Sequence, residues 1–108
     1  MAWTRVKNRN GTGALRCRTC PSWLRHWENG TNQLAIMCGA YGCRNVDVIG
    51  AHVTKVGGLD RASYIVPICT RCSTWTGELE VFWDLLPSHD SYRCKLGFQR
   101  PSQLERQR

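Results

Sequence analysis

The chain lacks long apolar runs and is poor in acidic residues. No apolar stretch approaches the roughly 20 residues that a membrane-spanning helix needs. Residues 1–13 also lack the apolar segment of a secretory signal, so we expect a cytoplasmic protein. With 108 residues, we expect a single domain over residues 1–98 and a basic flexible tail over residues 99–108.

The scarcity of acid is most pronounced near the N-terminus. The whole chain has 15 basic and 8 acidic residues, which gives a formal net charge of +7, and residues 1–27 contain no acid at all. Basic segments of this kind favour a polyanion partner, DNA or RNA, although solvated termini are an alternative. The predicted nucleic-acid-binding residues are Arg5, Lys7, Arg9, Arg16, Arg18 and Arg25.

Cysteine, in contrast, is abundant and is arranged in close pairs. Cys38 and Cys43 form one pair, and Cys69 and Cys72 form another. In a reducing compartment such pairs are more often metal ligands than disulfides, and four thiolates are a typical ligand set for structural zinc. We therefore predict one Zn²⁺ bound by these four residues. Disulfides, which would leave one of the 7 cysteines unpaired, and free buried thiols are the alternatives.

The remaining cysteines suggest a second zinc site. Cys17, Cys20 and Cys94 supply three thiols, and His26 follows Cys20 closely enough to act as the fourth ligand. In the alternative interpretation, His26 packs between tryptophans and Cys94 is a small buried hydrophobic residue.

The pattern of apolar residues predicts a small α+β fold. Strands are expected at 3–7, 34–38, 46–50 and 64–69, and a strand or a helix at 79–86. A helix should begin at Pro21, continue through Asn29 and end at Gly30. The order of the elements is that of a zinc-stabilised treble clef: first a cysteine pair, then a hairpin that turns at Gly57-Gly58, then a second cysteine pair at the start of a short helix.

Three segments carry a resemblance to a known family. They are Trp23-Leu24-Arg25-His26-Trp27, Gly50-Ala51-His52-Val53 and Tyr64-Ile65-Val66-Pro67-Ile68-Cys69. Together with the cysteine pairs they resemble small zinc-binding bacterial and phage members of the HNH (His-Me finger) endonuclease superfamily, over roughly residues 17–76.

The resemblance implies a ββα-metal fold in which His52 is the general base of phosphodiester hydrolysis, assisted by Mg²⁺ or another divalent ion. Two positions depart from the family pattern. Ala51 stands where a metal ligand is expected, and Ser73 and Thr74 follow the second cysteine pair in place of a histidine or asparagine. Without a metal to stabilise the phosphate charge, catalysis should be lost, so a degenerate site is favoured.

Three functional hypotheses follow. The first is a zinc-binding HNH-like module that binds nucleic acid through a degenerate nuclease site. The second is an active endonuclease that uses His52. The third is a phage or mobile-element protein that binds and inhibits or assists a host protein complex through residues 78–86. The oligomeric state stays open.

Overall fold

The structure, a computed structural model, describes residues 3–9 and 20–89. Its described elements, in chain order, are β1 (Thr4–Asn8), α1 (Trp23–Thr31), β2 (Val48–Lys55), β3 (Tyr64–Cys69), a 3₁₀ helix (Cys72–Thr74), β4 (Glu78–Val81) and β5 (Leu86–Pro87). The strands form one antiparallel sheet in the order β4-β1-β2-β3-β5. The predicted α+β class is therefore confirmed, whereas the boundary at residue 98 lies outside the described residues.

Helix α1 begins and ends one to two residues later than predicted. Ser22 is the N-cap, and its hydroxyl accepts a hydrogen bond from the Arg25 N–H at 3.1 Å. The helix ends at Thr31 because Asn32 adopts the left-handed conformation, with φ of 59°. The predicted end at Gly30 is wrong. A methyl group at this glycine would lie 2.4 Å from a terminal methyl of Leu86, which packs closely against this turn of the helix.

Strand β2 separates two hydrophobic clusters because its side chains alternate between the faces of the sheet. Ala51 and Val53 face a core that also contains Val6, Val66 and Val81. His52 faces helix α1, where the other cluster is centred on Trp27, Ile65 and Leu86. The helix can approach β2 closely because Gly50 has no side chain: a methyl group there would lie 2.5 Å from the Leu24 nitrogen.

The strand predictions are confirmed for β1 and β3 and wrong for residues 34–38. That segment forms no strand, because its end is held by contacts to a loop and to β3. The Cys38 N–H donates to the Asn45 carbonyl at 2.8 Å, and the Gly39 N–H donates to the Pro67 carbonyl at 3.0 Å. The predicted strand at 46–50 begins at Val48 and continues to Lys55. Residues 79–86 contribute to β4 and β5.

Pro67 lies inside a strand without disrupting the sheet. It pairs with Gly50 of β2, while its carbonyl points away from β2 and accepts from Gly39. The N and C=O groups of one strand residue point to the same side, so the missing N–H would also have pointed away from β2. The proline therefore removes no hydrogen bond between β2 and β3.

The second cysteine pair leads into a short 3₁₀ helix. It spans Cys72–Thr74, and Trp75 already has extended backbone angles. No α-helix follows this pair within the described residues, so the structure shows the α+β class but not the helix that a complete treble clef or ββα motif would have at this position. No described helix is both long and apolar enough to cross a membrane.

Candidate metal centre

Four cysteine sulfurs converge at one end of the sheet. The Sγ atoms of Cys38, Cys43, Cys69 and Cys72 all lie within 4.8 Å of one another. The Cys43 and Cys69 sulfurs are 3.7 Å apart. A tetrahedral zinc with Zn–S bonds of 2.3 Å separates its sulfurs by about 3.8 Å. The four thiols are therefore close enough together to hold a metal ion such as zinc.

The first cysteine pair belongs to a loop, residues 38–43, that lies between two strands. On one side the Gly39 N–H bonds to β3, and on the other the Tyr41 N–H donates to the Glu80 carbonyl of β4 at 2.7 Å. The turn closes through the Cys43 N–H, which donates to the Ala40 carbonyl at 3.0 Å. Gly42 has φ of 78°, a conformation that glycine adopts without strain. We call this turn the first knuckle.

The second knuckle, residues 69–72, forms where β3 ends. Cys69 is the last residue of the strand, and the Cys72 N–H turns back to donate to its sulfur at 3.4 Å. Strand β1 supports the turn from the other side. The Asn8 Nδ2 group donates to the carbonyls of Cys72 and Trp75, both at 2.9 Å. Three separate segments therefore fix the four sulfurs.

Hydrogen bonds to sulfur favour the thiolate form at two of the four residues. Besides the Cys72 N–H, Cys69 Sγ accepts the Asn45 side-chain amide at 3.4 Å. Burial opposes ionisation of Cys69, but these donors and the neighbouring thiols lower the pKa of its thiol to about 6. Cys38 Sγ accepts the Ala40 N–H at 3.5 Å. Burial nevertheless raises the pKa of Cys38, and burial together with the other thiols raises that of Cys72.

The four-cysteine cluster has the donor set of a structural zinc site. Two of its sulfurs, those of Cys38 and Cys69, are buried, and the other two are half-buried. A bound zinc would satisfy four thiolates that otherwise repel one another at this distance. Across residues 3–9 and 20–89, no second group of three or more histidine, cysteine or acidic side chains could hold a metal ion.

The predicted second zinc set lies largely outside the described residues. Cys17 and Cys94 lie outside the described residues, and Cys20 is disulfide-bonded. A zinc site would require the reduced form, so this site stays a prediction. His26 is 1% exposed, and its Nε2 lies 3.2 Å from the Pro87 carbonyl. Its ring packs edge-on against Trp23, at a centroid distance of 5.1 Å.

His52, the candidate general base, lies in the middle of β2 and is 7% exposed. Its ring packs edge-on against Trp23 at a centroid distance of 4.6 Å. Burial lowers the pKa of His52, and the positive charges of Arg9 and His26 lower it further. The imidazole is therefore neutral at pH 7 and lies between the sheet and the helix.

The predicted nucleic-acid-binding cations have different surroundings. Arg5 pairs with Glu78 at 3.2 Å, and Arg25 lies 3.9 Å from Glu28. Lys7 and Arg9 are exposed on and just after β1. Arg16 and Arg18 lie outside the described residues. The structure adds Asn8 and Asn45 to the residues that support the metal centre. Neither was predicted, because isolated asparagines in a turn and a strand carry no sequence signal for these contacts.

Comparisons with protein-family models, with curated proteins and with solved structures gave no match to this chain.

Proposed function

We propose that this protein is a zinc-stabilised module that binds nucleic acid without cleaving it. The zinc is structural in this proposal because four thiolates complete its coordination and leave no position for water or substrate. Zinc in the four-cysteine cluster would hold two knuckles of a treble-clef-like, HNH-like arrangement. The excess of basic residues would provide the attraction to phosphate.

The observation that carries the proposal is a cation-lined cleft at the turn between β2 and β3. Its volume is about 410 Å³, and its lining includes Arg9, Lys55 and Arg61. Gly57 and Gly58 also line it, with φ of 81° and 71°, a conformation that glycine adopts without strain. Asp60 is the one acidic residue of the lining.

The charge of Asp60 is largely compensated. Its carboxylate lies 3.5 Å from the Lys55 ammonium and accepts hydrogen bonds from the Tyr64 hydroxyl and the Ala62 N–H. Arg61 is exposed and makes no ion pair with the described residues. The cleft therefore keeps a net positive charge, as a phosphate-binding surface requires.

The surroundings of His52 favour binding over cleavage. A phosphodiester would have to reach an imidazole that lies beneath helix α1. Within the described residues, His52 belongs to no group of three or more histidine, cysteine or acidic side chains that could hold a catalytic ion. A base without such an ion lacks the main stabiliser of phosphate charge in the transition state.

Binding is tested by fluorescence anisotropy with labelled duplex and single-stranded oligonucleotides across a salt series. We expect the logarithm of affinity to fall linearly with the logarithm of salt concentration. Arg61→Ala should weaken binding and reduce the salt slope by about 1. Arg61→Lys is the matched control, because it keeps a positive charge at the same position and should therefore keep the salt slope. Binding that is absent, or insensitive to salt, would overturn the proposal.

Cleavage is tested separately by incubating supercoiled plasmid with zinc-loaded protein and Mg²⁺ or Mn²⁺. We expect the plasmid to remain intact. Nicking that is lost in His52→Ala would support the endonuclease hypothesis instead. The third hypothesis would be favoured by two results together. The protein binds no oligonucleotide, and it recovers one stoichiometric host protein from a nuclease-treated lysate.

A further inference from the structure

A second surface, distinct from the cation-lined cleft, lies between the two knuckles. It is an open groove of about 470 Å³, within the range of roughly 300–1,000 Å³ typical of ligand pockets. We call it the knuckle groove and define it by Tyr41, Cys43, Arg44, Arg71, Cys72 and Trp75, all of which line it.

The groove exposes two large aromatic side chains. Tyr41 is 70% exposed and Trp75 is 56% exposed, whereas Trp27 in the helix cluster is fully buried. Neither exposed ring is needed to fill a core, and a small domain gains stability by burying such rings. Their solvent-facing position therefore favours contact with a ligand.

Contacts at their edges hold the two rings in place. The Tyr41 ring packs edge-on against Trp3 at a centroid distance of 5.1 Å. The Trp75 Nε1 donates to the Glu78 carbonyl at 3.3 Å. Rings held in this way lose little conformational freedom when a flat ligand stacks on them.

The same groove is positively charged. Arg44 and Arg71 are exposed, and neither forms an ion pair with the described residues. Two nearby acids already have partners: Glu78 pairs with Arg5, and Asp47 accepts the Thr70 hydroxyl at 2.8 Å. The lining of the groove itself contains no acidic side chain.

From this combination we infer that the knuckle groove binds unpaired nucleotides of a single strand of DNA or RNA. Bases stack on Tyr41 and Trp75, and the guanidinium groups of Arg44 and Arg71 contact the adjoining phosphates. Stacking on an aromatic side chain requires a free base face, which a duplex covers with its neighbouring base pairs. The inference rests on the proposed function and adds the strandedness of the nucleic acid and its position on the protein.

The metal centre positions this surface. Tyr41 lies within the first knuckle, and the Trp75 N–H donates to the carbonyl of Cys72 at 3.1 Å. Loss of zinc should therefore separate the two rings and abolish single-strand binding.

The test compares the affinities of zinc-loaded variants for one short oligonucleotide, single-stranded and as duplex, at fixed salt. Trp75→Ala and Tyr41→Ala should each weaken single-strand binding about tenfold or more and leave duplex binding unchanged. Trp75→Phe keeps a stacking ring and should retain most of the affinity. Arg71→Ala should lower the single-strand salt slope by about 0.7. Ile36→Ala is the control, because this residue is 64% exposed and lines neither the cleft nor the knuckle groove.

The possible results separate the inference from the proposed function. If the protein binds nucleic acid but Trp75→Ala and Tyr41→Ala bind single strands with the same affinity as Ile36→Ala, the groove assignment is wrong and the proposed function stands. If the unmodified protein binds neither form, both fail. Zinc content and melting temperature are measured for every variant. A third result also counts against the groove. In it, Trp75→Ala loses both its zinc and its affinity for single strands, whereas Tyr41→Ala stays folded and keeps its affinity.

Discussion

Replacing Cys69 by serine should remove the metal and most of the stability of the protein. The hydroxyl of serine is a poor zinc ligand, and Cys69 is fully buried with two hydrogen-bond donors directed at its sulfur. Cys69→Ser therefore removes one of the four ligands.

The magnitude follows from the length of chain that the metal closes. Cys43 and Cys69 are 26 residues apart in sequence. A cross-link over a loop of this length lowers the entropy of the unfolded chain by an amount worth about 3.5 kcal/mol. Typical domains are stable by only about 5–15 kcal/mol, so the loss is a large fraction of the total. We expect the melting temperature of Cys69→Ser to fall by about 15 °C or more.

The assay combines metal analysis with thermal unfolding followed by circular dichroism. Zinc per chain is measured by mass spectrometry, and free thiols are counted before and after chelation. The unmodified protein should hold one zinc from the four-cysteine cluster, or two if Cys17, Cys20, His26 and Cys94 form the predicted second site. Val46→Ser is the matched control, because this residue lies between the knuckles in sequence and is 75% exposed.

Two results would refute the reasoning. One is a folded, fully reduced protein that takes up no zinc when the ion is supplied. The other is a Cys69→Ser variant that has the same melting temperature and the same zinc content as Val46→Ser. Either result would mean that the sheet holds the sulfurs together without any contribution from a metal.

Two further predictions concern residues outside the cluster. Asn8→Ala should lower the free energy of unfolding, measured with urea, by about 2 kcal/mol, because it removes two hydrogen bonds to the second knuckle and to the residue after it. Lys7→Ala, on the exposed side of β1, is the control and should change this free energy by less than about 0.5 kcal/mol. Burial, Arg9 and His26 lower the pKa of His52 in the folded protein. Below about pH 6.5 the unfolded chain therefore takes up a proton that the folded chain does not, and the free energy of unfolding decreases as the pH is lowered. His52→Gln should remove this part of the pH dependence, measured as the difference from the unmodified protein at equal zinc; identical pH profiles would contradict it.

The cysteine set was predictable from sequence because each knuckle is a local feature. Two ligands a few residues apart need only a tight turn, which Gly42 and the Cys72 N–H provide. The strands β1 and β3 were predictable for the same reason, because alternating apolar residues or a short continuous apolar run indicate a strand. These features depend on neighbours in the chain.

The errors arose where distant contacts decide the local conformation. Residues 34–38 are apolar enough for a strand, yet Gly39 hydrogen-bonds to Pro67 across 28 residues of sequence and directs the chain into a loop. Gly30 is a typical helix terminator, yet it lies inside α1, close to Leu86, and the left-handed residue is Asn32. The roles of Asn8 and Asn45 likewise depend on hydrogen bonds to the second knuckle, which is far from both residues in sequence.

The first knuckle also connects two strands that are not neighbours in the sheet. Strands β1 and β2 lie between β4 and β3, yet residues 38–43 hydrogen-bond to both β4 and β3. The sheet must therefore curve around the core of Val6, Val53 and Val66, with this loop closing the gap. A metal bound by the four cysteines would tie the loop to the end of β3. Its removal should loosen the curved sheet as a unit, which is why one substituted cysteine should affect stability and the knuckle groove together.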